Sequence, residues 1–125
     1  MKMILIIDDE ENICTLLGKM FKREGFDVLT AGDGKKGIML FKENRVDLVI
    51  TDIIMPEKEG LETILELKKL SPETPIIAMS GGGRLDSVDY LKIAKQMGAK
   101  YTFNKPFEKD NLLLAVHEAL KDVET

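Results

Sequence analysis

The chain has 125 residues, of which 18 are basic and 22 acidic, with a net charge of −4, one cysteine and no tryptophan. Since a domain takes about 100–200 residues, we expect one domain over residues 1–125, and a chain of this size folds without disulfides or a structural metal. The single cysteine excludes an internal disulfide, and the acidic charge argues against direct nucleic-acid binding. No long apolar stretch or signal peptide is visible, so we expect a cytoplasmic protein without membrane contact.

Short apolar or β-branched runs alternate with helical patterns along the chain. The predicted strands are Met3–Ile7, Phe26–Ala31, Val46–Thr51, Pro75–Ser80 and Lys100–Asn104. A pattern of apolar residues at helical spacing follows each strand. These five patterns include, in chain order, Leu17, Ile38, Ile64, Ala94 and Val116. Alternation of this kind predicts βαβ units and a parallel sheet.

The compositions of the strands predict their order in the sheet. Met3–Ile7 and Val46–Ile50 are almost continuously apolar, which is typical of strands that are covered on both faces. Lys100–Asn104 alternates with polar residues and suits an edge. Together with right-handed crossovers, these features favour a doubly wound α/β fold with the strand order 2-1-3-4-5. Ligands of such sheets bind beyond the carboxyl ends of the strands, so a functional site is expected at these ends.

Four of the five predicted strand ends carry charged or hydroxyl side chains. Asp8 and Asp9 follow the first strand, Asp52 follows the third, Ser80 stands at the end of the fourth, and Lys105 follows the fifth. Each has a structural explanation when taken alone, such as an acidic first helical turn or a surface lysine. Their convergence on one edge of one sheet is what indicates a functional site.

The residues at this edge favour metal-assisted phosphoryl transfer. Three clustered carboxylates repel one another unless a divalent cation or a shared proton relieves them. Oxygen ligands with no histidine or cysteine nearby select Mg²⁺, and such a site would also accept Mn²⁺. An aspartate can act as a nucleophile and form an acyl phosphate, while a lysine balances charge and a serine hydroxyl can hydrogen-bond a phosphoryl oxygen. We therefore predict Mg²⁺-assisted formation of an aspartyl phosphate.

Four segments in this order resemble the response-regulator receiver domains of two-component signalling, in particular the single-domain chemotaxis-type regulators. They are Ile4–Glu10, Asp47–Pro56, Pro75–Ser80, and Gly98–Ala99 followed by Lys105–Phe107. The resemblance covers essentially the whole chain. It implies a flavodoxin-like (βα)5 fold and a phosphorylation-activated signalling switch, not an enzyme with sustained turnover.

The resemblance also implies how the phosphoryl group and the metal are held. Asp52 would be the phosphoacceptor. Asp9 would ligate Mg²⁺ directly and Asp8 mainly through water, together with Asp52 and the backbone carbonyl of Ile54.

Further positions of the family pattern lie on the last two strands. Ser80 would be the switch hydroxyl and Lys105 would contact the phosphoryl group. The Lys105–Pro106 peptide bond would be cis. Thr102 stands where many receivers have an aromatic residue that turns inward on activation, so the usual aromatic switch is not expected here.

By the same resemblance, the phosphoryl group would come from a sensor histidine kinase or a histidine phosphotransfer protein. The domain would be a monomer or a phosphorylation-dependent dimer, and a changed surface would be recognised by an output protein. The chain could equally be the N-terminal receiver excised from a longer regulator with a DNA-binding or enzymatic output domain.

Two other classes of function fit the sequence less well. An aspartate-nucleophile phosphatase needs a second aspartate two residues beyond the nucleophile, and Ile54 occupies that position. A nucleotide or flavin binder needs a phosphate loop, and Ser80–Gly83 matches neither a P-loop nor G-x-G-x-x-G. We expect the remaining reactive side chains to be structural, with Cys14 packed and reduced and His117 partly solvated on the last helix.

Overall fold

The computed structural model describes residues 2–53, 60–80, 87–105 and 107–124, and in this part of the chain five strands alternate with five helices. The strands are β1 (Met3–Ile7), β2 (Asp27–Ala31), β3 (Leu48–Asp52), β4 (Ile76–Ser80) and β5 (Tyr101–Asn104). The helices are α1 (Glu11–Arg23), α2 (Gly34–Glu43), α3 (Gly60–Leu70), α4 (Ser87–Met97) and α5 (Lys109–Glu124). Among the described residues, no helix has the length and apolar composition needed to cross a lipid bilayer.

The strands form one parallel sheet in the order β2-β1-β3-β4-β5. β1 lies between β2 and β3, so that Ile6 is paired with Thr30 on one side and with Ile50 on the other. The doubly wound α/β fold and the strand order predicted from the sequence are confirmed. In this order β1, β3, β4 and β5 are consecutive, which brings their carboxyl ends to one stretch of the sheet edge.

Both faces of the sheet are covered by helices. Ile4 and Ile6 of β1 pack into a core cluster with α1 and α5, whereas Leu5 and Ile7 pack into a second cluster with α2, α3 and α4. All four side chains are fully buried. This alternation explains why the first strand is apolar at successive positions, since each face of the strand meets a different core.

The third strand ends one residue later than the sequence predicts. Asp52 is the last residue of β3 instead of the first residue after it, because the ladder with β4 continues past Thr51. Asp52 is paired with Met79, and the backbone N–H of Ile53 donates to the carbonyl of Met79 at 2.9 Å. The carboxylate of Asp52 is therefore held by a strand, which fixes its position more firmly than a loop would.

Gly60, the first residue of α3, packs directly against the end of β3. Its N–H donates to the carbonyl of Ile53 at 3.1 Å. A Cβ atom at this position would overlap the backbone of Asp52 and Ile53. The close approach of helix to strand therefore requires glycine, and it supports the backbone that carries Asp52.

We predict that Gly60→Ala lowers the free energy of unfolding by about 1–3 kcal/mol, because the added methyl group must displace backbone atoms. Urea unfolding followed by circular dichroism measures this change. Gly32→Ala is the matched control, since a Cβ atom there meets nothing within 4 Å. That substitution should leave stability within about 1 kcal/mol of the wild-type value. Equal stability of the two variants would contradict the close approach.

Candidate functional site

The predicted site residues come together at the carboxyl edge of the sheet. Asp8 follows β1 directly, Asp52 and Ser80 are the last residues of β3 and β4, and Lys105 follows β5. All four are buried. The backbone N–H of Lys105 donates to the carbonyl of Ser80 at 2.8 Å, which extends the β4–β5 ladder by one bond and aligns the lysine with the end of β4.

The ammonium group of Lys105 is the centre of the site. Its Nζ atom lies 2.7 Å from Oδ2 of Asp8, 3.3 Å from Oε1 of Glu10 and 3.4 Å from Oδ2 of Asp52. Lys105 is only 9% exposed. A buried lysine is rare unless it is paired, so these contacts exclude the simple explanation of Lys105 as a surface residue.

Burial and the neighbouring charges shift the pKa values of Lys105 and Asp8. Burial lowers the pKa of Lys105, but the hydrogen bond to Asp8 and the negative charges of Asp52 and its neighbours outweigh burial and raise the pKa above the usual lysine value. Burial raises the pKa of Asp8, and the hydrogen bonds from Lys105 and the Glu10 amide only partly oppose this rise. One ammonium group therefore does not offset the cost of burying the Asp8 carboxylate.

Carboxylate oxygens of Asp8, Asp9 and Asp52 lie within 4.8 Å of one another. Asp8 and Asp52 are buried and Asp9 is exposed. Oxygen ligands of Mg²⁺ lie about 2.0–2.1 Å from the ion, so opposite ligands are about 4 Å apart. The three aspartates are thus spaced so that one small divalent cation could contact all of them after a slight closure, and its charge would relieve their repulsion.

Both carboxylate oxygens of Asp8 already accept hydrogen bonds. Oδ1 accepts from the backbone N–H of Glu10 at 2.9 Å and Oδ2 accepts from Lys105. The backbone of Asp8 is also held, because its N–H donates to the carbonyl of Ala31 and its carbonyl accepts from the thiol of Cys14 at 3.4 Å. Asp8 is therefore fixed in place before any ligand binds.

Ser80 contributes a buried hydroxyl to the edge of the site. Its side chain is fully buried, and within the described part of the chain its Oγ atom is the buried side-chain polar atom for which no hydrogen-bond partner is found. An acceptor that forms a hydrogen bond with such an unpaired buried hydroxyl stabilises the protein. Its place at the end of β4, next to β3, puts it on the opposite side of Asp52 from Asp8.

Thr102 lies in the middle of β5, where it is paired with Ala78 and is half-buried. Tyr101 and Phe103 pack against the core cluster beneath α1 and α5, so neither aromatic ring shares the face of Thr102. This arrangement agrees with the alternation of apolar and polar residues along the predicted strand Lys100–Asn104. Ile54 and Pro106, predicted as a metal ligand and a cis-proline, lie outside the described residues.

The contact of Glu10 with Lys105 is not predicted from the sequence. Glu10 belongs to the acidic run Asp8–Glu11, which is typical of a helix N-terminus, and it is indeed the residue that precedes α1. Its contact with Lys105 joins residues 95 positions apart. The expected structural roles of the other reactive side chains fit the structure, since Cys14 is buried and His117 is exposed beside Phe26.

The comparisons with known proteins point to one family. The model of the family described as response regulator receiver domain matches residues 4–117. Sporulation initiation phosphotransferase F of Bacillus subtilis is 32% identical over 94% of this chain and 92% of its own length. A response regulator receiver domain protein from Clostridium thermocellum superposes with a TM-score of 0.91 at 32% identity, over 99% of this chain and 98% of that one.

A longer relative matches equally well over the same region. The transcriptional regulatory protein GlrR of Escherichia coli is 34% identical over 94% of this chain, but this chain spans only 26% of that protein. The shared region is thus the one that carries the five strands and the cluster of Asp8, Asp52 and Lys105. The family match, the topology and the arrangement of the strand ends together show that this chain belongs to the response regulator receiver domains of two-component systems.

Proposed function

We propose that this receiver, over residues 1–125, accepts a phosphoryl group on Asp52 with the help of Mg²⁺ and thereby switches the surface that a partner recognises. The observation that carries this proposal is the Asp52 carboxylate, which is buried, clustered with two further aspartates and 3.4 Å from the ammonium group of Lys105. Receiver domains bind Mg²⁺ at an acidic pocket, and the three aspartates fit such a role. The nucleophile, the metal ligands and the counter-charge then lie within one site.

The sheet order favours Asp52 over its neighbours as the nucleophile. Both oxygens of Asp8 are engaged in hydrogen bonds, and Asp9 is exposed at the outer side of the cluster. Asp52 ends the strand between β1 and β4, so a phosphoryl group on it has the metal ligands on one side and Ser80 on the other. This central position lets all the proposed contacts converge on one group.

In the proposed reaction, a carboxylate oxygen of Asp52 attacks the phosphorus atom of a phosphohistidine and the phosphorus–nitrogen bond breaks. Bound Mg²⁺ would neutralise charge on the phosphoryl oxygens. Lys105 donates a charge-assisted hydrogen bond to the transferred group, and the Ser80 hydroxyl donates to another of its oxygens. The carbonyl of Ile54 as a further metal ligand and the cis bond before Pro106 remain predictions from the family resemblance.

The hydrogen bonds that form on phosphorylation can supply much of the free energy that a switch requires. Moving a two-state equilibrium from 1:99 to 99:1 takes about 5.5 kcal/mol. A hydrogen bond to a charged group contributes about 1.5–3 kcal/mol. Ser80 and Lys105 together can therefore provide much of the required free energy, and Ser80 begins with a buried hydroxyl for which the described residues offer no acceptor.

Receiver domains pair with histidine kinases or phosphotransfer proteins and can dimerise on activation. We propose that a sensor histidine kinase or a histidine phosphotransfer protein supplies the phosphoryl group here. The output is then delivered through a partner protein or through a further part of a longer chain. The resemblance to Sporulation initiation phosphotransferase F, which this chain covers almost completely, favours output through a partner protein. The resemblance to the longer GlrR favours output through a further part of the same chain. In both cases the receiver is itself phosphorylated and does not turn over a substrate continuously.

The phosphoacceptor is tested with acetyl phosphate and Mg²⁺, followed by intact-protein mass spectrometry. We expect the wild-type chain to gain one phosphoryl group and the Asp52→Asn variant to gain none, because an amide cannot form the acyl phosphate. Asp27→Asn is the control, since Asp27 is exposed at the amino end of β2; it should be labelled like the wild type. Labelling that persists in Asp52→Asn, or that survives EDTA, would contradict the proposal.

The metal site is tested by titrating Mg²⁺ in a calorimeter. We expect Asp9→Asn to weaken Mg²⁺ binding by at least about tenfold, because loss of even an outer-shell partner costs about 10–100-fold in metal affinity. Asp9 is exposed, so the variant should fold normally. Glu11→Gln removes one negative charge nearby without touching the cluster and should bind Mg²⁺ within about twofold of the wild type. If both variants bound alike, Asp9 would not be a ligand.

The role of Lys105 as counter-charge is tested by unfolding Lys105→Met in urea at about pH 8, where carboxylates are ionised. Without metal we expect a loss of about 1–3 kcal/mol, since Asp8 and Asp52 are left buried without a cation. Saturating Mg²⁺ should restore part of this loss by supplying positive charge. Lys109→Met, at an exposed position of α5, should change stability little. Unchanged stability of Lys105→Met would show that the ion pairs are dispensable.

A further inference from the structure

Glu10 contacts Lys105 from outside the aspartate cluster. Its Oε1 atom lies 3.3 Å from Nζ of Lys105, and its side chain is 60% exposed while that of Lys105 is 9% exposed. Within the described residues, the carboxylates grouped closely enough to share a cation are those of Asp8, Asp9 and Asp52, without Glu10. Glu10 is therefore placed to hold the lysine and not to ligate the metal.

The ammonium group has three N–H donors, and three carboxylates surround it at 2.7, 3.3 and 3.4 Å. A phosphoryl group on Asp52 needs a donor from the same ammonium group. The contact with Asp8 is the shortest and is buried, so it is the hardest to give up. The contact with Glu10 is longer than that with Asp8, and of the three carboxylates only that of Glu10 is solvent-exposed, which makes this contact the one that Lys105 loses most easily.

We propose that Glu10 is a positioning residue that competes with the phosphoryl group on Asp52 for the ammonium group of Lys105. This inference rests on the proposed function and adds a regulatory element to it. In the free domain Glu10 holds Lys105 toward the start of α1. On phosphorylation the lysine turns toward the phosphoryl oxygens, and the Glu10 carboxylate is released into solvent. Glu10 thus biases the domain toward the unphosphorylated arrangement.

The charge of the phosphoryl group strengthens this competition. The ionised carboxylate of Asp52 carries one negative charge, whereas a phosphoryl group carries about two at neutral pH. Glu10 and the phosphoryl group would both lie beside one ammonium group, where like charges repel. The backbone of Glu10 is independent of this effect, because its N–H bonds to Asp8 and its carbonyl accepts the first hydrogen bonds of α1. A change of the side chain alone therefore leaves the helix start intact.

The test measures the affinity for beryllofluoride, a mimic of the phosphoryl group, at saturating Mg²⁺. Removal of a solvent-exposed ion pair that opposes binding should tighten the beryllofluoride Kd by about 1.5- to 5-fold in Glu10→Gln. Glu10→Asp keeps the charge but shortens the side chain by one methylene group, so the contact with Lys105 is lost. It should shift the Kd in the same direction as Glu10→Gln.

Glu11→Gln is the matched control, because it makes the same change in net charge one residue further along, on α1. It should leave the beryllofluoride Kd close to the wild-type value. The Mg²⁺ Kd, measured without beryllofluoride, should change no more in Glu10→Gln than in Glu11→Gln, because neither residue is a ligand. This separation of the two constants distinguishes a residue that positions Lys105 from one that merely supports the site.

Several outcomes would overturn the inference. Equal tightening in Glu10→Gln and Glu11→Gln would assign the effect to net charge, and wild-type behaviour of Glu10→Asp would show that the direct contact is irrelevant. If the wild type binds beryllofluoride and Glu10→Gln binds no more tightly, the competition is absent while the proposed function stands. If the wild type neither binds beryllofluoride nor accepts a phosphoryl group, the proposed function fails and the inference fails with it.

Discussion

The buried contact between Lys105 and Asp8 is the interaction on which the rest of the site depends. β3 and β4 lie between the strands that carry these two residues, so the contact ties the sheet together across its carboxyl edge. Burying an ion pair removes two charges from water, and the desolvation cost can exceed the attraction between them. Such a pair is poor evidence for stability. Its value here is that it holds a single cation where several carboxylates converge.

This arrangement leaves the free domain with an excess of negative charge in a small volume. Burial raises the pKa of Asp8, and the hydrogen bonds from Lys105 and from the Glu10 amide oppose that rise only in part. The excess of negative charge gives a divalent cation its favourable place, since the ion supplies charge that Lys105 alone does not. The close approach of Gly60 to the backbone of Asp52 keeps the strand end in position despite the repulsion. The residues that hold this end of the sheet together are therefore also those that form the candidate site.

Much of this could be predicted from the sequence, because it follows from local patterns. The bounds of β1, the parallel topology and the convergence of Asp8, Asp9, Asp52, Ser80 and Lys105 depend on periodicity and on the general geometry of doubly wound sheets. The predicted end of β3 is one residue early, since the true end depends on a hydrogen bond from Ile53 to a neighbouring strand. The contact of Glu10 with Lys105 could not be predicted because it depends on side-chain reach between distant positions.

The position of Lys105 also suggests how a local event reaches the rest of the domain. In the free domain its ammonium group contacts Asp8 and Glu10, which belong to the β1 side of the site. Its backbone, by contrast, continues the ladder between β4 and β5. On the proposed function, phosphorylation draws the ammonium group toward the phosphoryl oxygens and gives the Ser80 hydroxyl an acceptor. Both new interactions involve residues at the ends of β4 and β5, and α4 packs against these two strands. Since packed elements shift between discrete arrangements, the expected readout is a change on that side of the sheet. The proposed metal ligands Asp8 and Asp9 lie on the β1 side.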